Sequence, residues 1–206
     1  MASCKYALKS NPAKTVDAKY LGYWSVKWSS DQASRALSAF QNPPLSDIPI
    51  IRAAVAQPFH TSLVLIALHG AVYWAVAAGI PALDGRIDSE TYASTFDELK
   101  RGRDDCLTDL CLPSGEPLSA ATAKQVTSLF ERFYGDVLRD LSDATPKDPD
   151  AVDTGISRTT ASFVAILEAN FKIDFPPDQQ IAFGGFIDEA VSKLAAHAHE
   201  ALDVRP

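Results

Sequence analysis

Val126, Phe130, Phe133, Val137 and Leu141 recur at spacings of three and four, which predicts an amphipathic helix over 119–142. The same period returns at Phe163, Leu167 and Phe171, one turn apart, before the chain reaches Ile173, Phe175 and a proline pair. A last helix is expected over 178–201, with Ile181, Phe186, Ile187, Val191, Leu194 and Ala198 turned inward. Nearer the start, Ser29 to Gln32 form a capping-box pattern. Ala33, Ala36, Leu37 and Phe40 then supply the inner face of a short helix that Pro43 and Pro44 end. Asp47 is the expected cap of another short helix, with Pro49 in its first turn and Pro58 at its close. Ser89 is the expected cap of a helix carrying Tyr92, Phe96 and Leu99 on one face, weakened where Gly102 marks a loop. A break is expected at 113–117, and 142–155 reads as a solvated linker rich in Asp and Pro. Residues 1–22 are polar without a clear period and are expected to form an arm.

Residues 53–83 contain no Asp, Glu, Lys or Arg. The helix expected here covers 62–78, with Gly79 in the left-handed position past its end and Pro81 preventing continuation. Such a stretch suits two settings. Residues 59–80 are long enough to anchor a single-pass membrane protein. A helix buried on every side in an oligomer, partly within the subunit and partly between neighbours, gives the same pattern. Pro58, His60, Thr61 and Ser62 at one end, with no Lys/Arg cluster at either edge, favour burial.

These elements imply an all-α fold in a chain of 206 residues, long enough to bury a core without a disulfide or metal. The formal charge of −7 excludes a nucleic-acid binder that works by bulk positive charge, but not a local basic patch. The three cysteines, Cys4, Cys106 and Cys111, form no C-x-x-C pair and follow no secretory leader. Free thiols in a reducing compartment are expected.

Candidate chemistry is sparse. The chain contains no phosphate-binding, dinucleotide, nucleophile-elbow or HExxH zinc pattern. His197 and His199, two residues apart on a helix, point about 200° from each other and cannot share one ion. They are expected to be solvated at the helix end. His60 and His69 are expected as hydrogen-bonded core residues. A helical enzyme or adaptor using one of them is the alternative. Cys106 and Cys111 with Asp104, Asp105 and Asp109 are not ordered as nucleophile and base. The expectation is no enzyme, no cofactor and no metal.

Lys100, Arg101, Arg103, Asp104 and Asp105 form the densest run of charge in the chain. Arginine forks fit phosphate oxygens, and adjacent aspartates can hold the guanidinium groups in place. Solvated ion pairs on a helix face are the plainer reading of this segment. With its surroundings, the run resembles the coat proteins of tobacco mosaic virus and its rod-shaped relatives. A long apolar helix precedes Asp84 and Arg86, and Thr95, Phe96 and Asp97 precede the basic run. Trp24 and Trp28 resemble the tryptophans that tobraviral, hordeiviral and benyviral relatives place before the first helix. Leu167, Glu168, Phe171 and Phe175 resemble the family's aromatic–Glu motif, with Leu167 standing where an aromatic is usual.

The resemblance implies a four-helix bundle over 23–175, with extra short helices, behind the arm at 1–22 and before a C-terminal helical extension at 176–206. It implies a structural capsid subunit that self-assembles into a helical rod and encapsidates single-stranded RNA. The virion, and the host cytoplasm during assembly, would be its location, with no membrane partner. RNA phosphates would be met by Arg86, Lys100, Arg101 and Arg103. Asp84, Asp88, Glu90, Asp104 and Asp105 would form a carboxylate switch between subunits.

Overall fold

A computed structural model describes residues 3–110, 115–143 and 156–205. Cys111, the start of the break at 113–117 and most of the linker at 142–155 lie outside them. The described chain is mostly helical, as the periodicity implies. In order it forms strands β1 (Lys5–Leu8) and β2 (Asn11–Asp17) and helices α1 (Ala18–Phe40), α2 (Pro49–Ala56) and α3 (Pro58–Trp74). Then come α4 (Ile80–Leu83), α5 (Ser89–Asp109), α6 (Ala120–Asp143), α7 (Arg158–Phe171), α8 (Pro177–Ala201) and strand β3 (Leu202–Arg205).

The segment expected as an arm is built into the fold. β1 pairs antiparallel with β2 on one side and with β3 on the other, placing Lys5 opposite Arg205 and Leu8 opposite Leu202. Cys4 and Tyr6 are fully buried beneath this sheet. The Lys9 ammonium donates to the His199 carbonyl at 2.6 Å, where a cation meets the negative end of α8. The expected C-terminal extension is also part of the common core. Phe183 of α8 packs its ring against Phe40, Phe163 and Phe175.

α1 begins earlier than the capping-box pattern suggests. Asp17 accepts from the Tyr20 amide and caps it. Ser25 and Ser29 sit mid-helix, their hydroxyls turned back onto the Gly22 and Ser25 carbonyls. α5 likewise runs through Gly102 without a loop. Asp88, not Ser89, is its cap, accepting from the Thr91 amide at 2.7 Å. Gly102 is needed because α1 crosses there: a Cβ would stand 1.9 Å from the Lys19 carbonyl oxygen, and one on Gly22 would stand 2.2 Å from that of Leu99.

The apolar segment does not stop at Gly79. α3 passes through a π-helical turn at Ala75–Gly79 into α4, where Pro81 occupies the first turn. Gly79 is right-handed, with φ −66, and the left-handed turn comes at Gly85, with φ 69. The stretch Pro58–Leu83 is apolar and long enough to cross a bilayer, but 94% of its most apolar window is buried by the rest of this chain. That leaves little side-chain surface to offer to lipid. Its burial also needs no neighbouring copy.

Candidate nucleic-acid interface

The four cations expected to meet RNA fall into different environments. Arg103 is 2% exposed, with its guanidinium 5.2 Å from the Trp74 ring and 5.7 Å from that of Phe130. Its Nε donates to Asp104 at 2.8 Å, while Nη1 lies 3.9 Å from Glu131, too far for a hydrogen bond. A side chain enclosed in this way cannot reach a phosphate, so Arg103 leaves the expected RNA-binding set. It is a core cation. Lys100 is half-buried, its ammonium 4.8 Å from the centre of the Phe96 ring. Arg101 and Arg86 are exposed, each beside one carboxylate: Glu98 at 2.9 Å and Asp84 at 3.2 Å. Such pairs are solvent-screened and open readily to another anion.

The α1–α5 crossing determines what surrounds Arg101. Lys19 of α1 reaches Asp105 of α5 at 2.7 Å, and the positive charge of Arg101 is close enough to oppose that of Lys19. Tyr23 donates to Asp109 at 3.0 Å across the same seam. Alongside runs a ladder of rings at helical spacing, Tyr20, Trp24 and Trp28, with centroids 5.8 and 6.0 Å apart. Tyr20 is 43% exposed, Trp24 is partly exposed, and the Lys27 ammonium lies 5.5 Å from the centre of the Trp24 ring. Half-open aromatic rings therefore stand beside Lys27, and the Tyr23 ring, 6.1 Å from that of Trp24, links them to the seam that holds Lys19 and Arg101. Sequence reading treated Trp24 and Trp28 as a structural motif. Their 20–24–28 spacing marks them as one helix face, whereas the face of α1 that crosses the basic run at Gly102 carries Lys19, Gly22 and Tyr23.

The candidate carboxylates are mostly engaged within the subunit. Asp84 pairs with Arg86, Asp104 with Arg103 and Asp105 with Lys19. Asp88 caps α5, and its hydrogen bonds to the Thr91 amide and hydroxyl hold its carboxyl below the usual aspartate range. Glu90 is exposed in the first turn of α5. One chain alone does not crowd the five together.

The other motif has a clear local role. Leu167 and Phe175 are buried, and the Glu168 carboxylate accepts from the Phe175 amide at 2.8 Å, fixing the loop after α7. Of the histidines, His60 is exposed rather than core, whereas His69 is buried as expected. His197 and His199 are exposed at the end of α8. Among the described residues no group of three His, Cys, Asp or Glu could hold a metal. Cys4 and Cys106 are free and buried, and burial pushes the Cys106 thiol up to about 11.

Sequence reasoning missed a recess of about 650 Å³ between the start of α3, α6 and α7. His60, Lys124 and Arg132 line it with Gln125 and Asn170, and no carboxylate is among its walls. The available signal was Lys124, Ser128 and Arg132, four residues apart on the outer face of α6.

No protein-family model, curated protein or solved structure matches this chain.

Proposed function

We propose that this chain is a coat subunit that self-assembles into a helical rod around single-stranded RNA, built on the four-helix bundle its sequence resembles. The observation that carries the reading is the half-open Tyr20–Trp24–Trp28 ladder with Lys27 over Trp24, linked through Tyr23 to the α1–α5 seam that holds Lys19 and Arg101. Base stacking on aromatic rings with cations along the backbone suits a strand of any sequence. A coat must package every part of its genome, so sequence tolerance is the property required. Arg86 and Lys100 supply further charge in the proposed scheme, and Arg103 props the α5 face from within.

Self-assembly is supported by large apolar side chains left in water. Leu83 is 61% exposed and Ile181 is 68% exposed. Contacts between such patches that do not close a ring produce a filament. Asp84, Asp88, Glu90, Asp104 and Asp105 then act as a switch only when a second copy brings their charges together.

The RNA face is tested by fluorescence anisotropy with an end-labelled uridine 20-mer at low and moderate salt. The wild type should bind, more weakly as salt rises. Trp24→Ala and Arg101→Glu should each lower affinity about tenfold. If Lys124→Glu lowers affinity while those two leave it intact, the strand lies elsewhere and this placement fails.

A further inference from the structure

The chain carries 26 Asp and Glu against 19 Lys and Arg, yet no described acid lines the recess between the start of α3, α6 and α7. A recess of about 510 Å³ between α1 and α8, by contrast, has Asp31 and Glu200 in its walls. The acid-free space measures about 650 Å³, within the range of small-molecule sites.

Its lining divides into two chemistries. Leu63 and Val64 of α3, Val126 of α6 and Ile166 of α7 are buried there, with Leu129 half-buried beside them. These side chains are all aliphatic, and no Phe, Tyr or Trp ring joins them. Lys124 and Arg132 are exposed at the rim, on the stripe that runs through Ser128 along α6.

Arg132 is held in place from outside the recess. Its Nε donates to the Ser162 hydroxyl at 3.3 Å, and that hydroxyl donates in turn to Asp136. The two Nη groups make no hydrogen bond or ion pair among the described residues, and neither does the Lys124 ammonium. A guanidinium tethered through one nitrogen loses less freedom when its remaining donors take a ligand. Its paired Nη groups match the two oxygens of a carboxylate.

Aliphatic walls, a tethered cation and a rim without acids together select the occupant by charge and shape. We propose that this recess binds a small aliphatic carboxylate, its chain over Val64, Val126 and Ile166 and its head group on the Nη groups of Arg132, with Lys124 adding to the attraction. The recess is built from α3, α6 and α7 and contains no residue of the proposed RNA face, so the two readings stand or fall separately.

Octanoate is a suitable probe, titrated at neutral pH into the folded full-length chain while the Ile166 δ1-methyl resonance is followed. The resonance should shift and saturate. Acetate, which lacks the chain, and 1-octanol, which lacks the charge, should each bind at least about tenfold more weakly. Arg132→Ala should weaken octanoate binding about tenfold, and Ser128→Trp, which fills the recess from an exposed position, should abolish it. Arg35→Ala, a cation lost outside the recess, should leave it unchanged. Failure to saturate, equal binding of octanoate and 1-octanol, or equal effects of Arg132→Ala and Arg35→Ala would each overturn the proposal. So would a response that fades as protein concentration rises, which would seat a second copy in the recess. If Arg132→Ala does not fold, Ser128→Trp and the comparison with 1-octanol decide.

Discussion

The Tyr6 hydroxyl donates to the Ala77 carbonyl across 3.3 Å, joining the N-terminal strand to the middle of the apolar segment. Ala77 is the residue whose α-helical donor would be the amide of residue 81, and Pro81 has none. A side chain from a strand thus completes a helix that its own sequence interrupts. This contact shows why residues 1–22 are not a detached arm.

Tyr6→Phe should destabilise the fold by about 1–2 kcal/mol, because a buried carbonyl loses its donor while the packing is kept. Urea denaturation would measure it. Burial also holds the Tyr6 and Tyr134 phenols well above the ordinary tyrosine value of 10.0. With folded values above unfolded ones, stability should be constant below that value and fall as pH rises past it.

Gly102→Ala should cost about 3 kcal/mol or more, since the obstacle is the Lys19 backbone carbonyl rather than a movable side chain. Gly135→Ala in α6, where an added Cβ meets nothing within 4 Å, should instead stabilise by about 0.5–1 kcal/mol. Parallel thermal melts of the two variants check the contrast.

Arg103→Met should leave stability within about 1 kcal/mol of wild type, because an enclosed cation is exchanged for an apolar side chain that still fills the space beside Trp74 and Phe130. RNA affinity should stay within about twofold, against a roughly tenfold loss for Arg101→Glu. Equal losses would return Arg103 to the RNA-contacting set.

His69 makes the fold acid-sensitive. Its folded pKa of about 4 lies below the ordinary 6.5, so the unfolded chain takes up a proton that the folded chain refuses. Stability should be full above pH 6.5, decline as pH falls towards 4, and level off below it as far as this group is concerned. The total is on the order of 3 kcal/mol. Urea midpoints across that window, compared with His69→Phe, would isolate the contribution.

The sequence was most legible where one helix face decides the structure. The expected helix at 119–142 is α6 in nearly every residue, and its Val126, Phe130, Phe133 and Val137 are all buried. α8 also lies where its period placed it, although Ile181 points to solvent and Phe183 takes the core position. Features that depend on distant partners were not legible. β1 finds one of its neighbours at 202–205, and no local period announces such a pairing. Gly102 looked like a helix breaker because helix propensity counts only the backbone cost, whereas here the missing Cβ admits Lys19. Arg103 looked like its basic neighbours, and only Trp74 and Phe130 from other helices distinguish it. The chemistry of the basic run was therefore visible, but which of its members face outward was not.

Negative-stain electron microscopy of the purified protein mixed with single-stranded RNA tests the coat reading most directly. The account predicts rods of uniform width, lengthening with the RNA and absent when Leu83→Glu and Ile181→Glu are combined. Dispersed single subunits with the RNA left free in solution would contradict it.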